Sequence, residues 1–323
     1  MRVLNLVTYE ESRFFKQQVE TLSARGIDMD TLSVPGRHTN TDDSSESRSI
    51  LDYLRFYPPV LSASFGEYDL VHANYGLTAP AALAQPNLPV VLSLWGSDLL
   101  GKYGRISKWC ARRADSVIVM SPEMLAALDC EATVIPHGVD LERFQPQPQS
   151  TARGRVGWRH DAQHVLFPYP ASKDVKNYPR AERVVDRARE RFPGAVELHT
   201  VHGVPHKRMP DYMNAADLLL LTSRREGSPN SVKEALACNL PVVATDVGDV
   251  AARLEDVDHS SVCRTDDELV EAVLSALRAD GRSNGRARAR EVSLEEMGEE
   301  IEAVYRSVVG DQPDPSRPAS ATR

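Results

Sequence analysis

The sequence has 323 residues, which is long enough for two domains of about 150 residues, each with its own hydrophobic core. It contains 38 Lys and Arg against 46 Asp and Glu, a net charge of −8, and 41% of its residues are hydrophobic. This acidic balance argues against nucleic acid as the main partner, because phosphate binding needs a basic face. No apolar run reaches the roughly 18 residues of a membrane span, and the cysteines lack zinc-site spacing, so the sequence predicts a cytoplasmic protein with free thiols.

The first half alternates between short apolar runs and amphipathic segments. Helices are predicted near 77–85, 104–114 and 122–129, and a polar, turn-rich run at 37–48 predicts a loop. Strands are predicted at 3–7, 27–34, 68–73, 89–94, 116–120 and 132–135. Such alternation is typical of a parallel sheet covered by helices.

The second half repeats this rhythm after a stretch rich in Pro and Gln at 144–151, which predicts a linker. Its strands are predicted at 164–167, 196–201, 217–222 and 241–245. We therefore place a first domain at 1–145 and a second domain at 146–290, each a Rossmann-like doubly wound parallel sheet of the α/β class. Because ligands of such sheets bind beyond the carboxyl ends of the strands, a cleft between the domains is the expected site. The Pro-rich end, 310–323, is predicted to be disordered.

One segment of the second half combines an anion site with two carboxylates. A strand that ends at Thr222 is followed by a loop containing Gly227 and by a helix that begins near Pro229. The free N–H groups at a helix N-terminus bind anions, and glycine lets a ligand approach the backbone. Glu226 and Glu234 flank this helix start, so they could bind a sugar on one side and a ribose on the other. The alternative is that Glu226 complements the helix dipole and Glu234 is a solvated helix residue.

The same segment carries a recognisable signature. The run that begins at Glu226, Glu-Gly-Ser-Pro-Asn-Ser-Val-Lys-Glu-Ala-Leu-Ala-Cys-Asn-Leu-Pro-Val-Val-Ala-Thr, resembles the donor-site signature of retaining GT-B glycosyltransferases of the glycosyltransferase family 4, or group 1, type. Segments 212–223 and 135–140 are similar to the family's preceding strand and to its interdomain segment. The resemblance is specific across 200–250 and looser across 68–140. It implies the GT-B fold, two Rossmann-like domains that face a cleft. The acceptor side would be the domain at 1–145, and the nucleotide-sugar donor would bind to the domain at 146–290.

The resemblance implies a role for each matching residue. In the family, the first glutamate of the signature contacts the transferred sugar and the second contacts the nucleotide ribose, which correspond here to Glu226 and Glu234. Lys176 matches a lysine that neutralises the diphosphate, and Lys173 takes the place of a missing arginine. A solvated loop is the alternative for both lysines. The intervening residues would lie against the sugar and the diphosphate: Gly227, Ser228, Pro229 and Asn230.

The first domain departs from the family pattern at two places. Where the family often has His-Gly-x-Asp near the reacting centre, this chain has Trp95-Gly-Ser-Asp98. Asp98 is therefore predicted to lie near the transferred sugar as a catalytic residue, with a capping role as the alternative. Residues 8–12 replace the family's Gly-Gly loop on the acceptor side.

The family also implies that the last helix, 291–309, packs back toward the first domain. Its expected buried stripe is Leu294, Met297, Ile301, Val304 and Val308. The chain would then end on an element of the domain in which it began.

The implied activity is transfer of a hexose-type sugar from a nucleotide diphosphate sugar to a hydroxyl of a glycan or lipid-linked acceptor, in polysaccharide or glycoconjugate biosynthesis. The anomeric configuration is retained and the leaving diphosphate helps to deprotonate the acceptor, so the chemical demand is stabilisation of charge on the diphosphate. No metal and no cofactor are implied. Two alternatives stay open: a nucleotide-sugar 2-epimerase of the same architecture, and a degenerate, non-catalytic subunit that binds a sugar nucleotide.

A basic segment and a group of histidines give two weaker signals. Residues 102–113 contain five basic residues, interleaved with two aromatic ones. Such a helix is suited to peripheral contact with an anionic membrane at its inner face, with a solvated helix face as the alternative. The histidines show no metal-ligand spacing, so three of them near one strand end are interpreted as ordinary polar residues: His199, His202 and His206.

Overall fold

The chain folds into two compact units. The computed structural model describes residues 1–36, 48–279 and 281–310. Nearly all of the loop predicted at 37–48 and of the tail predicted at 310–323 lies outside these residues. One unit consists of residues 1–136 and of the chain from Met297 on, and the other of residues 137–296. Each unit has its own parallel sheet and its own core, as the alternation of the sequence predicts.

The described part of the first unit contains a six-stranded parallel sheet. Its strands are β1 (Arg2–Val7), β2 (Asp28–Ser33), β3 (Leu70–Asn74), β4 (Val90–Leu94), β5 (Ser116–Val119) and β6 (Thr133–Val134). The order is β2-β1-β3-β4-β5-β6, and all residues of the central strands β3 and β4 are buried, as expected for a sheet covered on both faces. The helices are α1 (Arg13–Ala24), α2 (Ile50–Ala63), α3 (Ala79–Ala84), α4 (Ser97–Leu100), α5 (Gly104–Ala111) and α6 (Pro122–Ala126).

The described part of the second unit contains a five-stranded parallel sheet. Its strands are β7 (Ala162–Phe167), β8 (Ala195–Thr200), β9 (Leu218–Leu221), β10 (Val242–Thr245) and β11 (Ser261–Cys263), in the order β11-β10-β9-β7-β8. The helices are α7 (Gln149–Val156), α8 (Tyr178–Arg189), α9 (Met209–Ala215), α10 (Asn230–Ala237), α11 (Val250–Leu254), α12 (Asp266–Arg278) and α13 (Arg286–Arg290), followed by α14 (Leu294–Val309). Thr265 and Glu268 form the capping box of α12, which supplies two otherwise unsatisfied N–H groups with acceptors.

The boundary between the units lies earlier than the sequence predicts. The first unit ends at residue 136 and not at 145, because the segment 137–145 is anchored in the second unit. The carbonyl oxygen of His137 accepts a hydrogen bond from Lys233 Nζ at 2.7 Å, and Phe144 is buried in the core of the second unit. The predicted linker also contains the first residues of α7. This segment is therefore structural, despite its lack of periodicity.

The last helix, α14, belongs to the first unit from Met297 onward. Its stripe is buried at Met297, Ile301 and Val304, whereas Leu294 and Val308 are half-buried. Among the described residues, no helix has both the length and the apolar character that a membrane span requires.

Two polar residues that the sequence did not predict are also buried on α14. Glu302 accepts a hydrogen bond from Arg25 Nε at 2.7 Å, and Tyr305 Oη lies 2.6 Å from His72 Nδ1 on β3. These contacts attach the helix to α1 and to the sheet by polar interactions in addition to apolar packing.

Candidate active site

The predicted site lies where the strand order of the second unit reverses. β8 pairs with one side of β7 and β9 with the other, so the carboxyl ends of β7 and β9 form a switch point of the kind at which open parallel sheets bind ligands. The loops that leave these two strands contact each other. Arg224 N donates to the carbonyl oxygen of Val175 at 2.8 Å, and Thr222 Oγ1 donates to that of Lys176 at 3.1 Å. The fold therefore brings together the two loops, after β7 and after β9, that contain the candidate site residues.

Lys176 and Glu226 form an ion pair between these loops. Lys176 Nζ lies 2.5 Å from Glu226 Oε1, and the two side chains are only 9% and 13% exposed. The same oxygen accepts a hydrogen bond from Ser223 Oγ at 2.5 Å, and the ammonium lies 3.8 Å from the centre of the Tyr169 ring. Burial lowers the pKa of Lys176, and the adjacent carboxylate opposes that lowering. The alternative of a solvated Lys176 is therefore wrong: its charge is held in place inside the site.

The loop between Glu226 and α10 is supported from behind by the turn after β10. Ser228 Oγ donates to Asp249 Oδ2 at 2.8 Å, and Asp249 N donates to the carbonyl oxygen of Gly227 at 3.1 Å. Gly248 has a φ of +58°, and a Cβ there would lie 2.2 Å from that same carbonyl oxygen. Only glycine fits so close an approach, so Gly248 and Asp249 fix the loop on which the anion site depends.

Helix α10 begins immediately after this loop. Pro229 occupies its N-cap position and Asn230 its first position, and the side chains from Ser231 to Ala237 are buried. The hydroxyl of Ser231 is hydrogen-bonded to that of Tyr169, next to the lysine ammonium. The N-terminus of this helix, with its partial positive charge, thus lies beside the Lys176–Glu226 pair and is fixed by the core beneath it.

Glu234 lies one turn further along α10 and has a partner that the sequence did not predict. Its Oε1 is 2.8 Å from His206 Nε2, and its side chain is 10% exposed. The imidazole in turn packs against Phe144, with ring centres 5.2 Å apart. The alternative of a solvated Glu234 is wrong. His206 and Glu234 are 28 positions apart, and no spacing rule would have paired them.

Lys173 differs from Lys176. It lies on the same short loop, where its carbonyl oxygen accepts a hydrogen bond from Lys176 N at 2.8 Å, but Lys173 is exposed. Lys176 is therefore a buried cation held by a carboxylate, whereas Lys173, three residues earlier, is an exposed cation.

Asp98 holds the loops of the first unit together. Its side chain is fully buried and accepts hydrogen bonds from four backbone N–H groups, those of Gly76, Trp95, Gly96 and Leu99, at 2.8 to 3.2 Å. Burial raises the pKa of Asp98, and these hydrogen bonds oppose the rise. The N-cap position of α4 is occupied by Gly96 and not by Asp98, so the capping alternative is wrong. The buried carboxylate instead positions the loops after β3 and β4. The catalytic role of Asp98 stays a prediction.

Part of the segment 8–12, predicted from the sequence to stand where the family has its Gly-Gly loop, lines a pocket of the first unit. Tyr9, Glu10 and Glu11 line this pocket together with Arg48. The segment therefore contributes one aromatic side chain and two carboxylates to the pocket.

Two family models match the chain, one in each half of the sequence. A model described as "Glycosyl transferases group 1" matches residues 177–279, and one described as "Glycosyltransferase Family 4" matches residues 12–143. The first of these includes the signature loop and α10.

Several relatives carry names from glycan and glycolipid synthesis. TuaC of Bacillus subtilis, named as a teichuronic acid biosynthesis glycosyltransferase, is 30% identical over 59% of this chain and 56% of its own length. LpsB of Rhizobium meliloti, a lipopolysaccharide core biosynthesis mannosyltransferase, is 28% identical over 63% of this chain and 68% of its own. A D-inositol 3-phosphate glycosyltransferase of Xylanimonas cellulosilytica is 28% identical over 75% and 72%. The match to TuaC thus spans little more than half of that relative.

Solved structures resemble the whole chain. A sucrose-phosphate synthase from Thermosynechococcus elongatus superimposes with a TM-score of 0.71 at 16% identity, over 97% of this chain and all of the other. Anabaena HepE, solved with UDP and glucose, gives a TM-score of 0.68 at 16% identity, over 95% and 100%. At such identities the likeness shows the fold alone, and the predicted GT-B class is confirmed.

Proposed function

Because the chain belongs to the group 1, family 4 glycosyltransferases, we propose that it transfers a hexose-type sugar from a nucleotide diphosphate sugar to a hydroxyl of a glycan or lipid-linked acceptor, with retention of anomeric configuration. The observation that carries this proposal is the buried Lys176–Glu226 pair beside the N-terminus of α10. It combines a fixed cation, a fixed carboxylate and oriented backbone N–H groups at the switch point of the sheet.

We assign the donor contacts from this arrangement. The diphosphate would lie against the loop of Gly227, Ser228, Pro229 and Asn230, at the positive end of α10, with Lys176 at its side. Exposed Lys173 would add a second, mobile point charge. Glu234, oriented by His206, would accept hydrogen bonds from the ribose hydroxyls.

The proposed chemistry follows from these charges. The bond between the anomeric carbon and the diphosphate oxygen breaks, and negative charge builds on the diphosphate, where Lys176 and the helix N-terminus stabilise it. The acceptor oxygen forms the new bond to the anomeric carbon on the same face, and its proton passes to the diphosphate. Glu226 would hold the hydroxyls of the transferred sugar. In this scheme the protein supplies the positive charge at the diphosphate, and we expect no metal ion there.

The acceptor and the membrane contact are proposed on weaker grounds. The names of TuaC and LpsB support a polysaccharide or glycoconjugate product. On and next to α5, Tyr103, Ile106 and Trp109 are 40 to 46% exposed among basic residues, which supports peripheral contact of a cytoplasmic protein with an anionic membrane. The comparisons favour neither the epimerase nor the non-catalytic alternative.

A donor screen tests the proposal. Thermal unfolding is followed with UDP-, GDP- and ADP-sugars, because a ligand that binds only the folded state raises the midpoint. We expect one nucleotide class to raise it and the matching sugar nucleotide to support transfer to a hydroxyl acceptor. Binding without transfer or hydrolysis would indicate the non-catalytic subunit, and epimerisation without acceptor would indicate the epimerase.

A further inference from the structure

A cluster of two histidines and a glutamate lies on one face of the second sheet. His164 on β7 is the register partner of Glu197 on the edge strand β8, and His199 follows Glu197 by two positions. Residues two apart on a strand, and partners across strands, point to the same face of a sheet. Three potential metal ligands therefore converge without any loop, which explains why their spacing in the sequence gives no signal.

The three ligand atoms have separations close to those of a tetrahedral metal site. His164 Nδ1 lies 2.8 Å from His199 Nε2, Glu197 Oε2 lies 3.4 Å from His199 Nε2, and it lies 3.7 Å from His164 Nδ1. Zinc ligands at about 2.0–2.1 Å in a tetrahedron are about 3.3 Å apart. Shifts of a few tenths of an ångström would place all three atoms on one ion.

The surroundings of His164 fix its tautomer, so that Nδ1 is available to a metal ion. His164 is fully buried, and its Nε2 lies 2.7 Å from the carbonyl oxygen of Arg159, so Nε2 carries the proton and Nδ1 offers a lone pair. A ring N–H donated to a backbone carbonyl is the usual outer partner of a metal-binding histidine. In the metal-free state His199 Nε2–H donates to His164 Nδ1. Metal binding would need His199 to hold its proton on Nδ1 instead.

His199 is held by stacking on an aromatic ring, and Glu197 is partly exposed to solvent. The ring of Trp158 stacks on His199, with centres 3.9 Å apart and planes at 16°, and lies 4.9 Å from the centre of His164. Burial and the neighbouring His164 lower the pKa of His199 to about 4, so the imidazole is neutral at pH 7. Glu197 is 35% exposed, and its Oε1 lies 3.9 Å from Arg159 Nη1, which leaves Oε2 facing the histidines.

We propose that His164, Glu197 and His199 form a binding site for a divalent transition-metal ion, with zinc as the best-suited ion and water in the fourth position. Two imidazoles and one carboxylate form a ligand set that zinc uses. The ion would cross-link the edge strand β8 to β7. None of the three residues belongs to the proposed donor site, so this inference is independent of the proposed function.

Zinc binding to the untagged full-length protein tests the site. The protein is treated with a chelator, dialysed, mixed with zinc chloride and passed through a desalting column, and bound zinc is measured by mass spectrometry. We expect one zinc per chain. Zinc at a hundredfold excess over the Kd should raise the midpoint of thermal unfolding by about 5–10 °C. His199→Gln should lose both effects, and Glu197→Gln should bind at least about tenfold more weakly.

Two controls keep the outcome decisive. His202→Gln removes an exposed histidine three residues further along and should leave zinc binding unchanged. Donor nucleotide should raise the midpoint of His199→Gln as it does that of the parent, which shows that the variant is folded and separates this test from that of the donor site. Failure of the parent to retain zinc, or retention of a full equivalent by His199→Gln, would overturn the proposal.

Discussion

At the scale of single residues, the chemistry of the site depends on charges that are shielded from water. A buried ion pair gains little net stability, because desolvation of both charges offsets their attraction, but removal of one partner leaves an uncompensated charge. Lys176 and Glu226 are therefore each other's charge partner in the absence of a ligand. In the proposed donor complex an anionic diphosphate binds beside the ammonium, so the charge of the lysine would already be in place and would need no reorganisation.

Each carboxylate of the signature should have a different effect when it is removed on its own. Glu234→Ala is expected to weaken nucleotide binding about 10- to 100-fold, the range for hydrogen bonds to a charged group. Glu226→Ala should chiefly reduce transfer, by about a hundredfold or more, because it removes a preorganised charge at the reacting centre. Titration calorimetry and a transfer assay separate the two, with exposed Glu295→Ala as the control. If both variants transfer sugar like the parent, the donor assignment is wrong.

His206 is a positioning residue, since it acts through Glu234. With the imidazole removed by His206→Ala, Glu234 loses the hydrogen bond at 2.8 Å that fixes its orientation. We expect the KM for the donor to rise about tenfold while kcat changes little. His206→Gln can still donate to the carboxylate and should recover part of the loss. An equal fall of kcat in both variants would instead indicate that His206 contacts the reacting atoms.

At the scale of elements, the strands that the sequence shows most clearly are those with continuous apolar runs, such as β9 and β10. β11 has three residues and was not predicted, because so short a strand has no periodicity. The same limit applies to the site. The loop and helix of the signature were predictable, but Glu234 is hydrogen-bonded to His206 and Asp98 to Gly76, which lie 28 and 22 positions away. Hydrogen bonds between residues distant in sequence leave no local pattern.

Helix α5 should contribute to membrane binding through its charges. Arg105→Gln with Lys108→Gln is expected to weaken binding to vesicles that contain anionic lipid about 30-fold, at about 1 kcal/mol for each cation. The matched control is Arg183→Gln with Arg187→Gln on α8, which removes the same charge from the other unit. Vesicle flotation at two salt concentrations measures the effect. No binding by the parent, or equal binding by both double variants, would contradict the membrane contact.

The attachment of α14 to β3 should make the first unit sensitive to acid. Burial lowers the pKa of His72 to about 3, from an ordinary value near 6.5. Between these values the unfolded chain binds a proton that the folded chain does not, so stability is lost as the pH falls through 6.5 toward 3. From pH 7 to pH 5 this costs about 2 kcal/mol.

Denaturant unfolding at several pH values measures that loss. His72→Gln should flatten the dependence of the free energy of unfolding on pH by this amount, whatever its effect on stability at pH 7, whereas exposed His160→Gln should not. An unchanged slope in His72→Gln would mean that the imidazole is protonated in the folded state.

At the scale of the whole molecule, the residues that we assign to the donor all lie in one of the two units. Both hydrophobic cores that support the donor loop and α10 consist of residues between 137 and 296. Val139 N donates to the carbonyl oxygen of Val292, and Leu294 N donates to that of Val139, so the two ends of this stretch are hydrogen-bonded to each other. Every residue assigned to the donor also lies within it, whereas Asp98 and the pocket lined by Tyr9, Glu10 and Glu11 belong to the first unit.

A fragment of residues 137–296 should therefore fold alone and bind the donor nucleotide without transferring sugar. Since its ends meet in the native hydrogen bonds of Val139, no long-range contact within this unit is lost. We expect cooperative unfolding and the same nucleotide-induced rise of the midpoint as in the full chain, with the rise abolished by Glu234→Ala in the fragment. A folded fragment that does not bind nucleotide would show that residues of the first unit complete the donor site. Transfer by the fragment alone would mean that the acceptor, too, binds to the second unit.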